Sequence, residues 1–549
     1  MDTGVKVDRE FEKLSEEILE WRWEVSPLEA TFEGYHKHDD EFDRFDREWR
    51  GELLARVKDY VRRLSQFEEE SLSPDNRMDR TILAKSFAVE IRREEEFKDL
   101  ERRPFLYPEV ALYGIYILML RQFAPLEERM TSVLGRLKEV GRVLQDGKQN
   151  LLRGKNIPEI WTKIALEVTQ GGLQFFSSFL PLMAERVPSL KEEILAANGQ
   201  ASEAFTDYVS FLEQELLPKS RGDFALGKER FNFLLREHHL LPFDTEELLE
   251  IGQQVREETQ GEMKRIAQQI DPQKSWPEIV AELKKEHPTA EELLAFYKGE
   301  MERAKDFVLE NDLASVPEGE MLSIVETPTF ERPTIPYAAY VSPAPFEERQ
   351  EGFFWVTPVD KNAPPERQEE QLQGHNKYGA VLTALHEAYP GHHLQLLHSN
   401  RVKSKVRRKF GTSVFAEGWA LYCEELMYEK GFYNTPEVRL IQLKDQLWRA
   451  CRVVIDVMLH TNRMSFDEAV EMLVDVPKLE RSNATTEVKR YTQTPTQPMS
   501  YIVGKLEIMR LRDDYKKMMG DKFQLKKFHD KLLSYGTIPV SLVRQQMLS

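Results

Sequence analysis

Apolar residues recur at three- and four-residue spacing along most of this 549-residue chain. From Val7 to about Leu313, one amphipathic segment follows another, and proline, glycine or asparagine marks the breaks between them. This spacing is typical of the α-helix, in which residues three and four apart share one face. The first half of the chain is therefore predicted to be entirely helical.

The pattern changes between about Ser315 and Asp360, where seven prolines lie among β-branched and aromatic residues. Pro336 and Pro343 flank a run of six residues, which suits an edge strand because proline has no N–H group to donate to a neighbour. A short sheet is predicted here, with an irregular connector as the alternative. A free strand edge is also a surface on which a peptide can pair.

A polar cluster with metal-binding spacing lies in TALHEAYPGHHLQ, residues 383–395. His386 and Glu387 match the start of the HExxH motif, in which two histidines bind zinc and the glutamate activates a water molecule. They follow an apolar helical pattern, and charge in a buried helix requires a partner or a function. The stretch predicts a metal centre; the alternative is a polar surface turn after a helix end.

The second histidine of this cluster comes later than HExxH requires. In an unbroken helix, His392 would point roughly 240° away from His386, and His393 would lie about 10 Å further along the same face. Zinc ligands must lie about 2 Å from the metal, so neither position could share an ion with His386. Pro390 and Gly391 interrupt the helix, because proline cannot donate to the preceding turn and glycine permits a sharp re-entry. Without this pair the stretch reads HEAYHH, which favours His392 over His393 as the ligand.

Two acidic residues follow in the helical pattern AEGWALYCEELMY. Glu417 lies 25 residues after His392, and Glu424 lies seven residues further, on the same helix face. A paired structural charge is one interpretation of this buried stripe. After a histidine pair at this distance, we favour Glu417 as the third metal ligand and Glu424 as a hydrogen-bonding partner of the site.

A third helical pattern, from Leu443 to Met458, carries a polar stripe on an otherwise apolar helix. The stripe consists of Arg449, Arg452, Asp456 and His460, spaced by three, four and four residues. Its arginines suit a carboxylate, either of the protein or of a substrate terminus. The alternative is an internal ion-pair network with Asp456 and the acidic helix.

A loop with two prolines, in EVKRYTQTPTQPMSYIVG, brings further polar residues into the candidate site. Arg490 and Tyr491 precede the prolines, and Tyr501 follows them. Arg490 is a third candidate for binding a carboxylate. A tyrosine beside a zinc site can donate a hydrogen bond to a developing oxyanion, which is the role predicted for Tyr501.

Four stretches in this order, HEAYPGHHLQ, EGWALYCEEL, RACRVVIDVMLH and SYIVGK, resemble the DUF885 family of zincin-like proteins. The resemblance covers most of the chain. That family is distantly similar to helical oligopeptidases and carboxypeptidases whose zinc is held by two histidines and a later glutamate. The resemblance implies His386, His392 and Glu417 as ligands, Glu387 as general base and Tyr501 as a stabiliser.

Composition narrows the choice of partners. A net charge of −18 argues against nucleic acid and anionic membranes as binding partners, because both attract basic surfaces.

The only two cysteines, Cys423 and Cys451, lie in apolar helical patterns and are predicted to be reduced core residues. The amino terminus lacks an apolar signal segment, and the longest apolar run, Val110 to Leu120, is too short to span a bilayer. A cytoplasmic protein without a membrane partner is expected.

These features predict a mainly α, zincin-like fold of two lobes, residues 1–314 and 315–549, or one continuous domain. The small sheet is expected near the active-site cleft. The predicted function is hydrolysis of short peptides, carboxypeptidase- or oligopeptidase-like, with one Zn²⁺ per chain; manganese and cobalt stay open. A small-molecule amide hydrolase and a non-catalytic metal-binding scaffold are the alternatives. Glu387 argues against the scaffold, because a structural site needs no general base. Exo or endo action, residue preference and oligomeric state stay open.

Overall fold

The computed structural model describes residues 3–327, 332, 335 and 337–549. It is mainly helical, with one small sheet, as the apolar spacing predicts. The chain divides into two compact units, Met1–Phe224 with Ala344–Arg349, and Ala225–Pro343 with Gln350–Ser549. The boundary predicted between residues 314 and 315 lies inside the second unit. Among the helices described, none is long and apolar enough to cross a membrane.

The first unit consists of amphipathic helices, and those between residues 105 and 216 share one apolar core. Large aromatic side chains fill this core, including the fully buried Tyr107, Phe176 and Phe205. Helix starts follow local rules: Ser73 caps the fourth helix, and a proline occupies the first helical position after it. The helices are α1 Thr3–Val25, α2 Pro27–Glu33, α3 Arg47–Leu64, α4 Pro74–Arg92, α5 Asp99–Arg102, α6 Leu106–Leu120, α7 Leu126–Arg153, α8 Glu159–Gln174, α9 Leu180–Glu185 and α10 Lys191–Phe211.

The second unit carries every residue singled out as a candidate for chemistry. Its helices are α11 Lys228–Glu237, α12 Thr245–Ile270, α13 Trp276–Leu283, α14 Leu293–Glu310, α15 Pro365–Gly374, α16 Lys377–Glu387, α17 His392–Asn400, α18 Lys405–Lys409, α19 Ser413–Glu429, α20 Pro436–His460, α21 Phe466–Asp475, α22 Arg481–Gln493, α23 Ser500–Met519, α24 Leu525–Leu533 and α25 Val540–Met547. Helices α16, α19, α20 and α23 pack together around the candidate site. Both cysteines are buried and unpaired in these helices, as predicted.

The proline-rich segment forms the predicted short sheet, also in the second unit. Its strands are β1 Met321–Glu326, β2 Ala338–Val341 and β3 Glu351–Val356, in the order β1-β3-β2. Strand β3 runs parallel to β1 and antiparallel to β2. The run before Pro343 therefore contains an edge strand, as predicted, whereas Pro336 lies outside the described residues. The central strand β3 buries Phe354, Trp355 and Val356.

A buried ion-pair network joins three of the helices that surround the candidate site. Glu425 on α19 lies 3.0 Å from Arg439 on α20 and 3.0 Å from Lys505 on α23. Burial alone would raise the pKa of the Glu425 carboxyl, but the charges of Lys505 and Arg439 lower it to about 2. Glu425 is therefore ionised at neutral pH and holds the three helices together.

Candidate metal centre

The break between α16 and α17 positions the two histidines. Helix α16 ends at Glu387 and α17 begins at His392, so the helix is interrupted as the Pro-Gly pair predicts. At Gly391 the backbone passes so close to α16 that an added Cβ would lie 1.8 Å from the His386 carbonyl oxygen. Only glycine fits this turn. The Pro390 carbonyl accepts a 2.8 Å hydrogen bond from Trp419 Nε1, which fixes the turn against α19.

His386, His392 and Glu417 each direct one donor atom to a common point. These three atoms lie within 4.8 Å of one another. The His392 Nε2 atom is 3.4 Å from Glu417 Oε2, and the two imidazole rings are nearly perpendicular, with centroids 5.0 Å apart. Tetrahedral ligands about 2 Å from a zinc ion are separated by about 3.3 Å. The three side chains are therefore close enough together to be candidates for holding one metal ion.

Glu424 orients the first of these histidines. Its Oε1 atom lies 2.8 Å from His386 Nδ1, and its side chain is buried. A carboxylate on one ring nitrogen holds the imidazole in a single orientation and tautomer, with Nδ1 protonated. The Nε2 atom of His386 is then left as the electron-pair donor. This is the position that the sequence predicted for Glu424.

His393 points away from this cluster. It is fully buried, its Nε2 atom lies 2.9 Å from Glu320, and its Nδ1 atom lies 2.9 Å from the Tyr340 hydroxyl. Glu320 also accepts a 2.6 Å hydrogen bond from Tyr389 and pairs with Lys305. Burial would raise the pKa of Glu320, but hydrogen bonds from His393, Lys305 and Tyr389 lower it to about 2. Both ring nitrogens of His393 are therefore engaged beside the sheet.

The charges around His392 and Glu417 favour an ionised carboxylate. Burial would lower the pKa of His392, but the Glu417 hydrogen bond and the charges of Glu387 and Glu417 raise it above its ordinary value. Burial would raise the pKa of Glu417, but the hydrogen bond and charge of His392 lower it to about 2. Glu387, half-buried at the end of α16, is close enough for its charge to act on His392.

Tyr501, in the first turn of α23, reaches the same cluster. It lies close enough to Glu417 to help lower the pKa of that carboxyl. Helices α19 and α23 touch at their backbones to make this contact. An added Cβ at Gly504 would lie 1.8 Å from the Val414 carbonyl oxygen, and one at Gly418 would lie 2.4 Å from Gly504 Cα. This glycine pair sets the distance between the helices that carry Glu417 and Tyr501.

Asp456 and His460, both fully buried, hold the loop that leads to Tyr501. The two carboxylate oxygens of Asp456 accept hydrogen bonds from the N–H groups of Thr496, at 3.2 Å, and Met499, at 3.3 Å. His460 Nε2 lies 3.0 Å from the Tyr491 carbonyl oxygen. This part of the polar stripe therefore positions backbone rather than facing the metal cluster.

His239, which was not among the predicted residues, connects the start of α19 with the loop before α23. Its Nδ1 atom lies 3.0 Å from the Thr412 hydroxyl, and its Nε2 atom lies 2.9 Å from the Thr496 hydroxyl. Thr412 caps α19, the helix of Glu417, and Thr496 lies in the loop before Tyr501. One buried histidine thus connects the starts of both helices.

Two of the three candidate arginines share one carboxylate. Arg452 donates to Glu487 at 3.0 Å and to the Tyr491 hydroxyl at 2.9 Å. Arg490 donates to the same Glu487 oxygen at 2.9 Å. Arg449 and Arg452 both lie over the ring of Tyr501, with guanidinium carbons 5.5 Å and 4.9 Å from the ring centroid. The acidic partner of Arg452 is therefore Glu487, and neither Asp456 nor Glu424 takes that place.

Several residues that support the cluster are not among those predicted from the sequence. Glu487 lies three residues before Arg490 and four before Tyr491, so helical spacing within α22 could have indicated it. Glu320 and Tyr340 lie far along the chain from His393, and His239 lies far from the two threonines that it contacts. No local pattern indicates those contacts, because they arise from tertiary packing.

The fold recurs in solved structures. One, described as a proposed lipoprotein of unknown function from Shewanella oneidensis, covers 98% of this chain and 100% of its own, with a TM-score of 0.83 and 26% identity. Another, described as a proposed lipoprotein from Colwellia psychrerythraea, covers 98% of each chain, with a TM-score of 0.85 and 19% identity. No curated protein matches this sequence. A family model described as "Bacterial protein of unknown function (DUF885)" matches residues 27–547, and the chain therefore belongs to the DUF885 family.

Proposed function

We propose that this protein is a zinc-dependent peptidase acting on short peptides. The observation that carries the proposal is the convergence of donor atoms from His386, His392 and Glu417 within 4.8 Å. Two imidazoles and one carboxylate are a donor set that suits zinc, and three protein ligands leave a coordination position open, as catalytic zinc sites require. The adjacent Glu387 supplies the general base that a purely structural site does not need.

The side chains around the cluster have separate roles in this proposal. Bound zinc would supply a Lewis acid that polarises the scissile carbonyl and favours deprotonation of water. Glu387 takes a proton from the attacking water and passes it to the leaving amine. Tyr501 donates a hydrogen bond to the carbonyl oxygen as negative charge develops on it. Glu424 keeps the His386 ring aligned throughout.

The proposal is tested by the variant Glu387→Gln, which keeps the side-chain shape and removes the base. We expect it to retain zinc and the fold, and to cleave a short-peptide library about 10² to 10⁴ times more slowly than the wild type. Glu310→Gln, at an exposed position on α14, is the matched control and should keep full activity. A wild type that cleaves no member of the library, or a fully active Glu387→Gln variant, would refute peptidase action.

A small-molecule amide hydrolase would use the same residues and the same base. The two functions differ in the substrate that is accepted, so the library should be paired with a panel of small amides. Cleavage confined to the small amides would replace the peptidase proposal with this second one.

A further inference from the structure

Three arginines surround the phenol of Tyr501, but their charges are not equally engaged. Arg449, Arg452 and Arg490 all act electrostatically on this side chain. Arg452 and Arg490 both pair with Glu487, as described above. Each of these two guanidinium groups therefore has an acidic partner, and they share one carboxylate. Arg449 differs from them in its partners.

Arg449 has no acidic partner within 4.0 Å among the residues that the structure describes. Among those described residues, its only hydrogen bond runs 3.2 Å from a terminal guanidinium nitrogen to the Asp445 carbonyl oxygen. Its Nε atom is buried without a partner, and so is Nε1 of the neighbouring Trp448, within the same described residues. A half-buried guanidinium loses much of its hydration, and its N–H groups match a carboxylate in geometry and charge.

The position of Arg449 relative to the metal cluster limits the size of a ligand that could reach both. Its guanidinium carbon is 5.5 Å from the centroid of the Tyr501 ring, and that side chain lies close enough to Glu417 to help lower the pKa of the carboxyl. The path from guanidinium to Glu417 is therefore on the order of 11 Å, the length of about three extended residues. A carboxylate on Arg449 would thus belong to a peptide whose nearby carbonyls reach the cluster.

We propose that Arg449, supported by Trp448 and Tyr501, binds the terminal carboxylate of a peptide substrate. The enzyme would then release at most about three residues from the carboxyl end of a peptide. This inference rests on the proposed peptidase function and adds the substrate class to it: short peptides with a free carboxyl terminus.

Kinetics of Arg449→Met on three matched substrates test the proposal. The substrates are N-acetylated tetrapeptides ending in a free acid, in a carboxamide, or in glutamate carboxamide, which carries its carboxylate on a side chain. We expect KM for the free acid to rise at least about tenfold, as for loss of a charge-assisted pair, and KM for both carboxamides to change less than about twofold. Arg367→Met, exposed on α15, is the control and should behave as the wild type.

Two kinetic results would overturn the proposal. An equal rise in KM for the free acid and the simple carboxamide would show that Arg449 only supports Tyr501. A rise in KM for glutamate carboxamide as large as that for the free acid would show that a side-chain carboxylate is the ligand.

A binding measurement separates this proposal from peptidase function itself. Titration calorimetry measures the affinity for N-acetyl-trialanine and for its carboxamide. The Glu387→Gln variant should bind the free acid more tightly than the carboxamide. The double variant, Glu387→Gln with Arg449→Met, should lose this preference. If the wild type cleaves nothing but this preference is present, the carboxylate site stands and peptidase function falls. If peptides are cleaved but neither variant distinguishes acid from amide, the carboxylate site falls and peptidase function stands.

Discussion

Helices α19 and α23 touch at their backbones, and one added methyl group should separate them. In Gly504→Ala the new Cβ would lie 1.8 Å from the Val414 carbonyl oxygen and 2.7 Å from Gly418 Cα. Non-bonded carbon and oxygen atoms need a separation of about 3.3 Å, so the helices must move apart by about 1.5 Å at this point. Backbone atoms on both sides leave no flexible side chain to absorb the change.

The displacement has two expected costs. Overpacking of a close helix contact destabilises a protein by about 1 to 3 kcal/mol. Glu417 and Tyr501 lie on these two helices, so the displacement would also move Tyr501 away from Glu417. We therefore expect Gly504→Ala to destabilise the second unit by about 1 to 3 kcal/mol and to lower kcat.

Urea unfolding followed by tryptophan fluorescence measures this loss, and peptide hydrolysis reports the position of Tyr501. Gly261→Ala in α12 is the control, because an added Cβ there meets nothing within 4 Å. Alanine is the better helix former by about 1 kcal/mol, so the control should be as stable as the wild type or slightly more stable. A wild-type unfolding midpoint and a wild-type kcat in Gly504→Ala would show that these helices are not in backbone contact.

Four further substitutions test other parts of the second unit. His392→Ala should abolish zinc binding. His393→Ala should keep zinc and lower the stability of the protein by about 1 to 3 kcal/mol, because it leaves buried hydrogen-bonding partners unpaired. Zinc retained in the first variant and lost in the second would exchange the roles of the two histidines. Tyr501→Phe should lower kcat with little change in KM, and an unchanged kcat would exclude oxyanion stabilisation. The pKa of Glu425 is about 2 when folded and 4.5 ordinarily, so its contribution to stability is present above pH 4.5 and disappears as the pH falls toward 2. Glu425→Gln should flatten the fall in stability over that range, and an unchanged pH profile would contradict the pairing.

Local patterns predicted the parts of this site that depend on local geometry. The period of apolar residues predicted the helices, and the Pro390-Gly391 pair predicted the break that brings His392 toward His386. The seven-residue separation of Glu417 and Glu424 predicted one shared helix face. Each of these inferences uses only residues within a few turns of one another.

The remaining contacts depend on how distant elements pack. Helices α11–α14 show the same apolar period as α1–α10, so the period alone does not reveal that they belong to the second unit. An amphipathic face shows that a residue is buried, but it does not identify what covers it. For the same reason, Glu320 beside His393 and His239 beside Thr412 became visible only in the folded chain.

Anomalous scattering from a crystal of the zinc-loaded protein would locate the metal. We predict one strong peak per chain at the zinc absorption edge. That peak should lie about 2 Å from a ring nitrogen of His386, a ring nitrogen of His392 and a carboxylate oxygen of Glu417. A peak bound by other residues, or a protein that takes up no zinc, would contradict this prediction.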